Sequence, residues 1–225
     1  MKHKLIVLVI FLCSLTFISV NVHTLFTTKS PPKIQGTIIP NARDLEDFTL
    51  LNHNNEYFTN ANLKGKWSLV SYGFTDCPDI CPTTLNKLAQ VKNKLHELGK
   101  YQDLNILFYS IDPQRDTVER LAQYVAFFSP DFLGLTWRLD AETNHIAFEK
   151  SLGITSLITP LTQEEAENDY KGYSVSHGVM LYLLNPEGKL QAIFTPETSK
   201  HGIHNFLIET IYRDYVAIRS YFGLH

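Results

Sequence analysis

Apolar residues follow three rhythms along this chain, and each predicts a different kind of element. One is unbroken: from Leu5 to Val20 the chain is uncharged and largely apolar, and no charge appears before Lys29. A membrane span needs about 20 predominantly apolar residues, so the run is long enough. A second rhythm is short and near-continuous. Trp67–Tyr72 and Leu104–Ile111 read as strands buried on both faces, the pattern of parallel pairing. The third is a 3.6-residue stripe. Leu85, Leu88, Val91, Lys92, Leu95 and Leu98 predict a helix closed by Gly99. Leu121, Tyr124, Val125 and Phe128 predict another that stops before Pro130, and Leu207, Ile211, Tyr215, Ile218 and Phe222 a last one.

Turn chemistry places the remaining elements. Residues 29–42 read as a proline-stiffened linker ending in an edge strand around Thr37–Ile39. Phe48–Leu50 and Glu56–Thr59 flank Asn52-His53-Asn54-Asn55, a hairpin by its turn residues. Asp116-Thr117-Val118-Glu119 resembles a capping box, with Asp116 as the cap. Leu135–Leu139 reads as a short strand and Thr143–Leu152 as a helix closed by Gly153. Residues 154–176 are polar and irregular, a functional or mobile loop by their length. Val179–Asn185 and Lys189–Phe194 form a hairpin around Pro186-Glu187-Gly188. Alternating strands and helices imply a mostly parallel central sheet with right-handed crossovers. Closed by a hairpin and a helix, this is the α/β arrangement of a thioredoxin-like fold, with N-terminal strand additions and a long loop insertion. The chain divides into an N-terminal membrane anchor or signal segment (1–28), a linker (29–42) and the domain (43–225).

Charge changes the picture only at the ends. The chain has 225 residues, with 20 basic and 23 acidic side chains and a formal charge of −3, so nothing favours nucleic acid. Lys2 and Lys4 precede the apolar run, whereas Lys29 and Lys33 follow it at a greater distance. The positive-inside tendency then predicts a cytoplasmic N-terminus and an exported domain. No Ala-x-Ala cleavage site follows, which favours an uncleaved anchor over a cleaved signal. Cys13 lies inside the run and reads as a small apolar residue facing lipid.

The chemistry lies in Tyr72-Gly-Phe-Thr-Asp-Cys-Pro-Asp-Ile-Cys-Pro-Thr-Thr-Leu85, where a buried strand delivers Cys77 and Cys81 to a helix N-terminus. Unpaired amides there favour a thiolate. Three residues separate the sulfurs, where a thioredoxin-type redox motif has two. If helical, the pair shares one face, close enough for a disulfide or for a shared soft metal ion. Spacing alone leaves dithiol, disulfide and metal site open. In a thioredoxin-like arrangement the segment just before the hairpin, Ser174–His177, lies across from this motif, so His177 can approach both sulfurs. Two thiolates and an imidazole suit Cu(I) or zinc, and a structural zinc site normally has four protein ligands.

The cysteine motif resembles the core of the Sco/SenC family, copper-binding assembly factors for cytochrome c oxidase. Ser110-Ile-Asp-Pro-Gln-Arg-Asp-Thr117 is similar to that family's second motif, and Ser176-His177 with Val179–Gly188 to its third. Asp44–Leu50 and Leu63–Trp67 fit its N-terminal region. The resemblance implies a thioredoxin-like fold and a copper site (Cu(I), with Cu(II) as a second state) held by Cys77, Cys81 and His177. It implies a Cys77–Cys81 disulfide when oxidised, and the copper-bearing subunit of cytochrome c oxidase as partner, beside other copper chaperones or thiol reductants. The location expected is the periplasmic face of a bacterial inner membrane or its equivalent. Two positions depart from the pattern: Asp76 stands where relatives often carry histidine, and Ser176 where an aspartate often precedes the histidine. Asp112, Arg115 and Asp116 are expected to order the loop beside the site, and Tyr72, Phe74, Tyr170 and Tyr173 to form a dry rim or docking surface. Two other functions remain open: a thiol–disulfide oxidoreductase using Cys77 and Cys81, and a copper or redox sensor.

Overall fold

The computed structural model describes residues 30–138, 142–161, 172–198 and 204–223. In chain order these form β1 (Gly36–Arg43), β2 (Thr49–Asn52), β3 (Tyr57–Thr59), a 3-10 turn (Asn60–Leu63), β4 (Trp67–Gly73) and α1 (Ile80–Glu97). Then come β5 (Leu104–Ser110), α2 (Val118–Phe128), β6 (Leu133–Thr136), α3 (His145–Leu152), β7 (Ser156–Pro160) and β8 (Tyr173–His177). The chain continues through β9 (Leu181–Leu184), β10 (Leu190–Phe194), β11 (Glu197–Thr198), β12 (His204–Asn205) and α4 (Ile208–Phe222).

Eight strands make one sheet in the order β1-β10-β9-β4-β5-β6-β2-β3. Every residue of β4 is buried, and side-chain alternation sends Trp67 and Leu69 to one core while Val70 and Tyr72 enter the other. The first core packs β4 and β5 against α1, α2 and α4 through Leu85, Leu88, Leu121, Val125, Ile211 and Tyr215. The second is closed by Phe48, Phe58 and the α3 residues Ala147, Phe148 and Leu152.

The α/β, thioredoxin-like architecture is as expected, but the sheet is mixed rather than mostly parallel. Parallel order is confined to β4–β5 and β5–β6, and the other five pairings are antiparallel. For β9–β10 and β2–β3 the reason is local, because a tight turn forces antiparallel neighbours, whereas β1–β10, β4–β9 and β2–β6 pair segments distant in sequence. In the turn after β9, Asn185 Oδ1 accepts from the amides of Glu187 (3.0 Å) and Lys189 (3.1 Å). In the turn after β2, Asn52 Oδ1 accepts from Asn54 and Glu56.

Several expectations shift in detail. The edge strand extends to Gly36–Arg43, and the short strand lies at Leu133–Thr136 rather than 135–139. Leu98 and Leu207 are exposed rather than part of their helices' buried stripes. The loop expected at 154–176 contains a two-stranded ribbon, β7 against β8, separate from the main sheet. Asp116 does not cap α2; Thr117 does, accepting from the Arg120 amide. The N-terminal apolar run lies outside the described residues. Among those described, no helix is long and apolar enough to cross a membrane.

Candidate metal centre

Strand β4 ends at Gly73, and a short loop carries the chain to Cys77, whose amide donates to the Phe74 carbonyl (3.2 Å). Cys77 precedes the helix and Cys81 sits in the first turn of α1. The two sulfurs therefore meet through a turn, not through helical i, i+4 spacing. Pro82 also falls in that first turn, where a missing amide costs no intrahelical bond. Both cysteines are buried and neither is in a disulfide.

His177 ends β8, and its ring meets Tyr72 (5.3 Å between ring centres) and Phe74 (5.9 Å, edge-on). Its Nδ1 lies 2.6 Å from the Gly178 carbonyl oxygen. A carbonyl only accepts, so Nδ1 carries the proton and Nε2 is left with a free lone pair. That nitrogen lies 3.9 Å from Cys81 Sγ. The ligand atoms of Cys77, Cys81 and His177 all lie within 4.8 Å of one another, the one such group of three among the described residues. Second-atom orientation of a histidine by a carbonyl is how metal-binding imidazoles are commonly held. Two sulfurs and one nitrogen form a soft, low-coordinate donor set.

The sulfurs are electrostatically unequal. The Cys77 thiol is pulled down to about 4, first by the Cys81 side chain donating to it, against the opposing effect of burial, and then by the His177 ring and backbone amides. Cys81 moves up, because it shares its proton with the Cys77 thiolate and is itself buried. The pair holds one proton between two sulfurs.

Asp112 and Asp116 organise the loop beside the site from buried positions. Asp116 accepts from the Thr75 amide (3.0 Å), Thr75 Oγ1 (2.5 Å) and Ser110 Oγ (2.6 Å). Thr75 is thus fixed two residues before Cys77. Burial raises the Asp116 carboxyl above its ordinary range, with these donors opposing. Asp76 pairs with the Arg120 guanidinium on α2, so its charge is met away from the sulfurs. Ser176 is exposed, and alternation puts it on the opposite face of β8 from His177.

Two requirements were hidden in the sequence. A Cβ on Gly73 would overlap Cys81 Sγ, and one on Gly178 would lie 2.9 Å from the Tyr72 hydroxyl. A glycine at a strand end is visible in the sequence, but the side chain that needs its space is not. Other histidines are used elsewhere. His53 Nδ1 accepts from the Gly134 amide (2.9 Å), His145 stacks on Trp137 (3.6 Å), His96 is exposed on α1, and His204 lies on β12 beside Thr198. Cys13, His3, His23, Tyr170, His201 and His225 lie outside the described residues.

A family model described as SCO1/SenC matches residues 38–211. The chain belongs to the SCO1/SenC family. The mitochondrial protein SCO1 homolog of Homo sapiens is 37% identical over 156 residues, 69% of this chain. The match spans 49% of that relative, about half its length. The crystal structure of Arabidopsis thaliana ScoI with copper bound is 30% identical, with a TM-score of 0.63, covering 79% of this chain and 99% of that one. Yeast Sco1 with copper bound is also 30% identical, with a TM-score of 0.60 over 77% of this chain and 87% of that one.

Proposed function

We propose that this SCO1/SenC protein is a copper metallochaperone that helps build the dinuclear copper centre of cytochrome c oxidase. The observation carrying the reading is the convergence of Cys77, Cys81 and His177 within 4.8 Å, from segments 96 residues apart in sequence. Copper is cargo. Two thiolates and Nε2 would hold Cu(I) at low coordination number, leaving coordination capacity through which thiolates of the oxidase subunit would replace Cys77 and Cys81 in turn. Copper-bound relatives of similar fold support the choice of metal. The uncharged N-terminal run supports a membrane-anchored, exported domain.

Anaerobic titration of the reduced chain against a competing Cu(I) chelator tests this. One tightly held Cu(I), substantially weakened by His177→Ala, is expected. Weak binding indifferent to that change would overturn the metal site, and normal oxidase assembly without the protein under copper limitation would overturn the partner.

A second reading, a thiol–disulfide oxidoreductase, draws on the unequal thiols. Cys77 thiolate would attack a partner disulfide, and Cys81 would resolve the mixed disulfide, leaving the partner as a dithiol and this pair oxidised. A Cys81→Ser protein that still turned over disulfides would exclude that mechanism. A sensor role, in which copper or oxidation is signalled to a partner without transfer, would be separated from a donor by following copper between the purified proteins.

A further inference from the structure

His177 is carried by the least secured strand near the site. The β7–β8 ribbon has no ladder to the main sheet, all of β7 is exposed and β8 is half-buried only at alternate residues. Yet a ligand must be held to well under an ångström of its working position. Something other than sheet pairing has to locate this strand.

Tyr173, the first residue of β8, makes three contacts with the loop after β5. Its hydroxyl donates to Asp112 Oδ1 (2.5 Å). Its carbonyl accepts from Arg115 Nη1 (3.4 Å). Its ring lies under the Arg115 guanidinium, 4.2 Å from the ring centre. Asp112 is buried and bonded to Arg115 Nε, so both partners are locked to one another. Arg115 also lies over the Phe74 ring (5.6 Å), and the edge-on Phe74 contact is one wall of the His177 ring. The same five-residue stretch, Asp112–Asp116, therefore holds both ligand carriers: Asp116 grips Thr75 beside Cys77, while Asp112 and Arg115 grip Tyr173 on the histidine strand.

We propose that the Tyr173–Asp112–Arg115 clasp is a positioning device for His177, setting the fraction of molecules in which the imidazole stands beside the sulfurs. The inference rests on the copper-site reading above. With the clasp closed, all three donors are assembled. With it open, the strand keeps Val175 on the second core and the ring contacts of His177 with Tyr72 and Phe74, and where these give way the cysteines are left as a two-coordinate site. His177 is then the ligand that leaves first, and apparent affinity scales with the closed fraction.

Cu(I) affinity of the reduced full-length chain, measured by chelator competition, is compared in wild type, Tyr173→Phe, His177→Ala and the double variant. Tyr173→Phe keeps the ring and removes one charge-assisted hydrogen bond, so affinity should fall by roughly tenfold. In the His177→Ala background the same change should have no further effect, because there is no imidazole left to position. X-ray absorption of the copper-loaded Tyr173→Phe protein should show reduced nitrogen scattering with both sulfurs retained. Equal losses in the two backgrounds would mean that Tyr173 acts through general stability, and would overturn the proposal. So would a Tyr173→Phe protein with wild-type affinity. If His177→Ala itself leaves affinity unchanged, the copper-site reading has failed rather than the clasp alone.

Discussion

The two carriers of the candidate ligands differ in how the fold holds them. Cys77 and Cys81 follow β4, which lies between β5 and β9 and is buried along its whole length. Both cysteines belong to the same core cluster as Leu85 and Leu121. His177 arrives on a two-stranded ribbon outside the sheet, fastened by a few side chains. A rigid frame keeps the two sulfurs close enough to share one proton, and that sharing makes their acidities unequal. On the copper-donor reading proposed above, a third ligand that releases its ion benefits from an attachment weak enough to open. The site then joins a half fixed by the core to a half held by the clasp on Tyr173.

The contrast is broken most directly on the rigid side. Gly73→Ala should have the largest effect: the new methyl overlaps Cys81 Sγ, and overpacking a core costs about 1–3 kcal/mol. Both thermal stability and Cu(I) binding should fall, and a variant binding copper like wild type would show that the cysteine half is not rigid. Asp116→Ala should cost about 1–3 kcal/mol in denaturant unfolding, since the buried Ser110 and half-buried Thr75 donors lose their acceptor. Asp116→Asn, which keeps one acceptor oxygen, should lose less.

The unequal thiols sharpen the comparison without a mutation. Cys77 falls from an ordinary value of 9.0 to about 4, so between those values the unfolded chain holds a proton that the folded chain has released. Its contribution to the stability of the reduced protein should therefore rise with pH across that window and be lost as pH falls through about 4. Above 9.0, the raised Cys81 reverses the sign. Peptide mapping after alkylation should find Cys77 modified down to about pH 5 while Cys81 is spared. Equal labelling with a single inflection in the ordinary thiol range would refute the split. Least affected should be Arg120→Ala, which removes a half-exposed ion pair with Asp76 worth about 0–1 kcal/mol.

Much of the frame was legible because it rests on local pattern. The buried run at Trp67, the Asn52–Asn55 turn and the Gly99 and Gly153 helix ends all follow from residues close in sequence. The cysteine and histidine motifs were legible as candidate ligands through their resemblance to a family. Asp116 was misread as a cap because its real donors, Thr75 and Ser110, belong to other elements. Strand β7 was read as loop because Ser156–Pro160 is exposed throughout, so no alternation marks it, and β8, which does alternate, pairs only with that strand.

The order of side chains was enough for the helices, the strands of the main sheet, the α/β class and, through the family resemblance, the three residues to suspect. Backbone propensity and apolar periodicity act over a few residues and are written directly in the order of side chains. Only the tertiary structure decided the antiparallel flanks of the sheet, the space that Gly73 leaves for Cys81, the single proton shared by the sulfurs, and the clasp on Tyr173. Each of those depends on atoms brought together from distant parts of the chain, where exclusion, burial and hydrogen-bond geometry operate between neighbours that no local pattern names.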